Sequence, residues 1–146
     1  MSELKRTILY QAHLDAGATM VDFGGWDMPI QYPEGIIAEH LYCRRHCGIF
    51  DVSHMGRIDV EGPDQVAFLQ HVLSSNVLAL DLNQAQYCII PDKNGYAIDD
   101  AYLYRFEEGK YFLVINAGNI DKDWAHLMNE AKNFDVKLTN VSDKYA

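Results

Sequence analysis

Cysteine is scarce in this chain and odd in number: Cys43, Cys47 and Cys88 are all it has in 146 residues. That excludes a disulfide-rich scaffold and fits a reducing compartment. Proline is sparse too, at four residues, and with 49% apolar residues this argues against a disordered chain. No apolar run approaches the length that spans a bilayer, and the opening MSELKRTILY lacks the apolar core of a secretory signal. Basic charge is short as well: 12 Lys and Arg against 21 Asp and Glu leave a formal charge of -9. That balance disfavours nucleic acid and anionic membranes as partners, since both are bound through Lys and Arg. The expectation is a soluble, cytoplasmic protein of one ordinary domain's length, or a mitochondrial-matrix one if the source is eukaryotic.

What is present is a regular alternation of helix and strand signals. Leu9, Tyr10, His13 and Leu14 suit a first helix ending at Gly17, and Thr19 to Phe23 a short strand broken by Gly24 and Gly25. A second helix is predicted from Glu34 to Cys47, then a strand from Ile49 to Glu61 bent at Gly56. Pro63 and Asp64 suit the start of a third helix, with Val66, Phe68, Leu69, Val72 and Leu73 on its apolar side. Gln86–Pro91, Tyr96–Phe106 and Tyr111–Asn116 read as three strands joined by the turns DKNG and EEGK, an antiparallel meander. A fourth helix over 119–131 and a last strand, Val136–Val141, complete an α+β pattern of antiparallel sheets with flanking helices.

Within this frame YAIDDAYLYRF stands out, because two adjacent acids interrupt a strand. Strand alternation puts Asp100, Tyr102 and Tyr104 on one face and Asp99, Ala101, Leu103 and Arg105 on the other. Splitting the pair argues against a glycosidase-type carboxylate dyad. It leaves one acid facing a ligand or the core and the other solvent, or both serving as exposed edge-strand charges. Asn116, at the end of the following strand, either caps the next helix or shares a ligand with Asp100, and Tyr87 can supply an aromatic wall.

Other constellations are weaker. His40, Cys43 and Cys47 share a helical face at metal-ligand spacing, but no fourth ligand is indicated, so the cysteines are expected to be small core residues and no metal is expected. Ser53 and His54 are adjacent without a nucleophile elbow. Gly24-Gly25 lacks phosphate-loop spacing and reads as a tight turn beside Trp26.

Taken in order, LKRTILYQAHLDAGATMVDFGGWDMPIQY, GIIAEHLYCRRHCGIFDVSHMG, GYAIDDAYLYR and YFLVINAGNIDKDW resemble the start of the aminomethyltransferases, the T proteins of the glycine cleavage system. The resemblance covers essentially the whole chain. It implies a tetrahydrofolate-dependent transfer of a one-carbon unit from aminomethyl-lipoyl H protein, with release of ammonia and no metal. Motif by motif it implies Asp100 as the catalytic carboxylate and Met55, Tyr87, Asp100, Tyr102, Tyr104 and Asn116 as folate contacts. Three departures stand out: Ile8 replaces the usual proline, Tyr96 the second glycine before the acids, and Tyr102 a small aliphatic residue.

The family pattern further implies that residues 1–56 form the N-terminal part of a discontinuous first domain and 57–146 a second, folate-binding α+β subdomain. Family enzymes continue well past this length, so the chain is expected to be an N-terminal fragment that alone is inactive, binds folate weakly or not at all, and self-associates. Sarcosine and dimethylglycine dehydrogenases, sulfonium demethylases and iron–sulfur assembly proteins carry related modules. DFGGWDMP and IDD favour the aminomethyltransferases over these. A non-enzymatic folate-binding regulator or an interaction module is the alternative of a different class.

Overall fold

The computed structural model describes residues 3–145; Met1, Ser2 and Ala146, at the ends of the two expected segments, lie outside the described residues. The chain divides into two compact units, one of the residues up to His54 with Tyr145, the other Met55–Lys144. The architecture is α+β with antiparallel sheets, as the alternation predicts.

In the first unit, helix α1 spans Tyr10–Asp15, and strands β1 (Thr19–Phe23) and β2 (Trp26–Gln31) pair as an antiparallel hairpin. Gly24 and Gly25 do not merely end β1. Their φ angles of 59° and 87° make the two-residue reversal whose twist matches the strands, and it pairs Phe23 with Trp26. Strand β2 is thus an element that its Pro29 disguised. Proline is tolerated there because each strand of a two-stranded sheet has a free edge.

Helix α2 spans Ile36–Arg45 and buries none of its residues. It ends before Cys47, which is exposed, while Cys43 is half-buried. The expectation that both are core residues is therefore not met; among the three only Cys88 is buried. Nor does a strand start at Ile49. The Asp51 carboxylate accepts hydrogen bonds from the Ser53 N–H (2.9 Å) and hydroxyl (2.6 Å), a side-chain turn that diverts the backbone from ladder pairing. Pairing begins only at Gly56.

The second unit is a five-stranded antiparallel sheet in the order β4-β5-β6-β3-β7, with β3 Gly56–Glu61, β4 Gln84–Pro91, β5 Ala97–Glu107, β6 Lys110–Ile115 and β7 Lys137–Asn140. The meander is as predicted: β4, β5 and β6 are sequential antiparallel neighbours. Helices α3 (Gln65–Val72) and α4 (Ile120–Glu130) complete it.

Alternation decides which strand residues are buried. Ile58 and Val60, Cys88 and Ile90, Ala101 and Leu103, and Leu113 and Ile115 pack with Phe68, Leu69 and Val72 of α3 and Leu127 of α4. Each fully buried aliphatic side chain contributes about 1.5–3 kcal/mol of hydrophobic stabilisation. The opposite sheet face carries Asp100, Tyr102 and Tyr104.

Candidate active site

Strand β5 lies second in the sheet, so its acids are not edge charges. Both are half-buried, and they do turn opposite ways. The expectation that one of them meets solvent fails for Asp99. Its Oδ1 accepts a hydrogen bond from the Asn116 amide, and Asp123 of α4 and Asn119 lie close enough to shift its ionisation. Burial alone would raise the Asp99 carboxyl, but the hydrogen bonds from Asp123, Asn116, the Asp100 backbone and Asn119 hold it below the usual range.

Asp100 lies on the other face. The pairing of Ala101 with Ile115 brings it opposite Asn116, one residue beyond β6. The Asn116 amide nitrogen donates to Asp100 Oδ1 (3.1 Å), to Asp99 Oδ1 (3.0 Å) and to the Asp100 carbonyl (3.2 Å). Asn116 therefore does not cap a helix through its side chain. Its nitrogen is committed to the acids, and the group it offers a ligand is the Oδ1 acceptor.

Tyr87 lies diagonally across the β4–β5 ladder from Asp100, whose charge acts on its hydroxyl. Burial first, and then the Asp100 charge and hydrogen bond, push the Tyr87 phenol up. Its ring meets Tyr102 edge-on at 5.6 Å, and Tyr102 lies 6.1 Å from Tyr104. The row continues to Phe106, stacked on Tyr104 at 5.3 Å, and to Phe112 at 6.3 Å from Tyr104. These two phenylalanines were not among the expected site residues. Phe106 simply extends the alternation of 100, 102 and 104, whereas Phe112 joins only through the pairing of Tyr104 with Phe112.

Extending the pairing of Gly56 with Ile115 by one residue sets Met55 opposite Asn116. Met55, Asn116 and Asp100 thus fall on one row across the strand ends. The half-exposed rings of Tyr87 and Tyr102, 52% and 47% accessible, flank the acid and can stack against a flat ligand whose polar edge meets it.

Behind this face Asp123 is completely buried. Burial, the hydrogen bond to Asp99 and the charge of Asp99 raise its carboxyl to about 7, with Lys122 partly opposing and Asp100 adding to the rise. Nothing local in IDKDW marks it: an acid in a helix's first turn ordinarily complements the dipole in water.

The first unit holds a different polar knot. Asp51 Oδ2 accepts from the Thr7 hydroxyl (2.7 Å) and from His13 Nε2 (2.9 Å), and His13 Nδ1 shares a hydrogen bond with the Tyr32 hydroxyl (2.8 Å). Burial opposes ionisation of Asp51, but these donors and Ser53 hold it far below the usual carboxylate range. Among the described residues no group of three His, Cys, Asp or Glu is placed to hold a metal ion, and His40, Cys43 and Cys47 make none. Among them, too, no helix is long and apolar enough to cross a membrane.

A helix-backed antiparallel sheet with a carboxylate set among aromatic rings defines an α+β module. Residues 9–146 match the family model described as the GCVT N-terminal domain, and the chain belongs to that family. Relatives named aminomethyltransferase include that of Deinococcus deserti, 53% identical over 143 residues, which are 98% of this chain and 40% of the relative. That of Thermus thermophilus is 48% identical, over 98% of this chain and 41% of its own. The crystal structure of glycine cleavage system aminomethyltransferase T from Bartonella henselae matches with a TM-score of 0.90 at 40% identity, over 95% of this chain and 38% of that one. The chain spans about 40% of the length of the curated relatives it matches.

Proposed function

We propose that this chain forms one wall of the active site of a glycine cleavage aminomethyltransferase. The complete protein would move a one-carbon unit from the aminomethyl group on the lipoyl arm of H protein to tetrahydrofolate, releasing ammonia, in the cytoplasm, or in the mitochondrial matrix if the source is eukaryotic. The observation that carries this reading is the placing of Asp100 on a row with Asn116 and Met55, flanked by Tyr87 and Tyr102. The names of relatives at 48% and 53% identity support it.

The chemistry follows from what the residues offer. The rings of Tyr87, Tyr102 and Tyr104 would hold a flat folate by stacking, with Met55 adding apolar contact. Asn116 Oδ1 would accept from the ligand's polar edge. Asp100 would orient the folate nitrogen and take its proton as that nitrogen bonds to the one-carbon unit, whose bonds to the amine nitrogen and the lipoyl sulfur break to leave ammonia and the lipoyl thiol. In this reading residues 1–56 belong to a domain completed elsewhere in the protein, and 57–146 form the folate-binding subdomain. The isolated chain would then lack the remaining walls and turn over little or not at all.

The test is aminomethyl transfer by the full-length gene product with lipoylated H protein and tetrahydrofolate. Asp100→Asn should lower turnover by about 100- to 10,000-fold while folate binding persists. Equal turnover by the variant would remove Asp100 from its role, and folate binding without transfer by the wild type would favour a regulator.

A further inference from the structure

We propose that Asp123 is a positioning residue for Asp100: it retains a proton, donates it to Asp99, and this acid–carboxylate pair fixes the Asn116 amide that orients the Asp100 carboxylate. The catalytic part of this inference rests on the aminomethyl-transfer reading; the shared proton does not.

The burial of these carboxyls favours a proton between them. Asp123 is 0% exposed, and among the described residues no N–H reaches either of its oxygens. Asp99 Oδ2 is likewise buried without such a donor. The two carboxyls nevertheless lie close enough for each to shift the other's ionisation. Two ionised carboxylates meeting out of water repel strongly and leave lone pairs unsatisfied, whereas one proton between them supplies a donor and removes a charge. The charged groups nearby do not replace it. Lys122, on the same helix, gives its Nζ to the Ile98 carbonyl at 2.7 Å, and Asp100 adds negative charge from β5. The Asn116 amide bonds to Asp99, not to Asp123.

The consequence reaches the candidate site through a single amide. Asn116 Nδ2 lies 3.0 Å from Asp99 Oδ1 and 3.1 Å from Asp100 Oδ1, so it spans the two faces of β5. Holding Asp99 still holds Asn116, and Asn116 holds Asp100. Loss of the Asp123 proton sets two charges against each other behind this link and loosens it. Burial and the neighbouring Asp99 place that loss near pH 7.

The test compares wild type, Asp123→Asn and Asp123→Leu in the full-length protein. With carboxyl carbons of aspartate and side-chain amides of asparagine isotopically labelled, NMR should show one aspartate titrating near pH 7 and the Asn116 amide signals moving with it. Both movements should vanish in Asp123→Asn, whose amide still donates to Asp99. Asp123→Leu should lower turnover on the order of 100-fold by misplacing Asp100, and Asp123→Asn should recover most of that loss. An Asp123 carboxyl ionising in the ordinary range near pH 4, or an Asn116 amide that ignores the titration, overturns the proposal. If the wild type transfers no aminomethyl group, the functional reading fails, and the NMR titration still decides for or against the shared proton and its hold on Asn116.

Discussion

Two aspartates of this chain are sealed from water and carry opposite states of charge. Asp51 receives donors from Thr7, His13 and Ser53 and stays ionised. Asp123 receives none of that kind, meets a second carboxyl, and keeps its proton to about pH 7. Burial pushes both groups in the same direction; the supply of donors separates them. The surrounding units differ as well. Met55–Lys144 has a continuous apolar core and buries Asp123 fully, while the unit up to His54 leaves Ile37 77% and Ile49 96% exposed.

The largest effect on stability should come from breaking the donor-rich side. Asp51→Ala strands the His13, Thr7 and Ser53 donors and should cost about 3 kcal/mol in urea unfolding. Asp123→Asn should do the opposite above pH 7, raising stability because it removes a buried acid that must otherwise ionise. A loss there as large as that at Asp51 would mean the two sites do not differ in kind.

The pH dependence sharpens the same contrast. The depressed Asp51 contributes stability that is present above its ordinary value of 3.8 and is lost as pH falls. The raised Asp123 contributes stability that is fully present below 3.8 and is lost as pH rises through about 7. Thermal unfolding across this range should therefore show a falling limb between about pH 4 and 7 that Asp123→Asn flattens and Asp51→Asn leaves in place.

Smaller effects separate the two units. The exposed apolar side chains of the first should drive self-association, so Ile37→Glu should shift sedimentation of the 146-residue chain toward monomer. A chain already monomeric at high concentration would refute this. Gly25→Ala meets no atom within 4 Å, so it tests backbone alone; its φ of +87° should cost about 1 kcal/mol in chemical unfolding.

Much of the fold was legible because its signals are local. The β5 alternation put Asp100, Tyr102 and Tyr104 on one face, and the short turns announced the meander. Strand β2 escaped because Pro29 argues against a strand unless the edge is known to be free. The stretch from Ile49 to Met55 looked like a strand because its apolar alternation carries no sign that the Asp51 side chain captures the Ser53 N–H. Phe112 joined the aromatic row only through register.

By itself the sequence determined which residues share a strand face, that the chain builds antiparallel sheets with helices, and which family it resembles. These follow from period and motif, which lie along the chain. The tertiary structure decided that Asp99 and Asp100 are joined through Asn116, that Asp51 receives several donors, and that Asp123 is buried with no N–H donor among the described residues. A carboxyl's charge depends on the donors and water around it, and residues distant in the chain bring or exclude both.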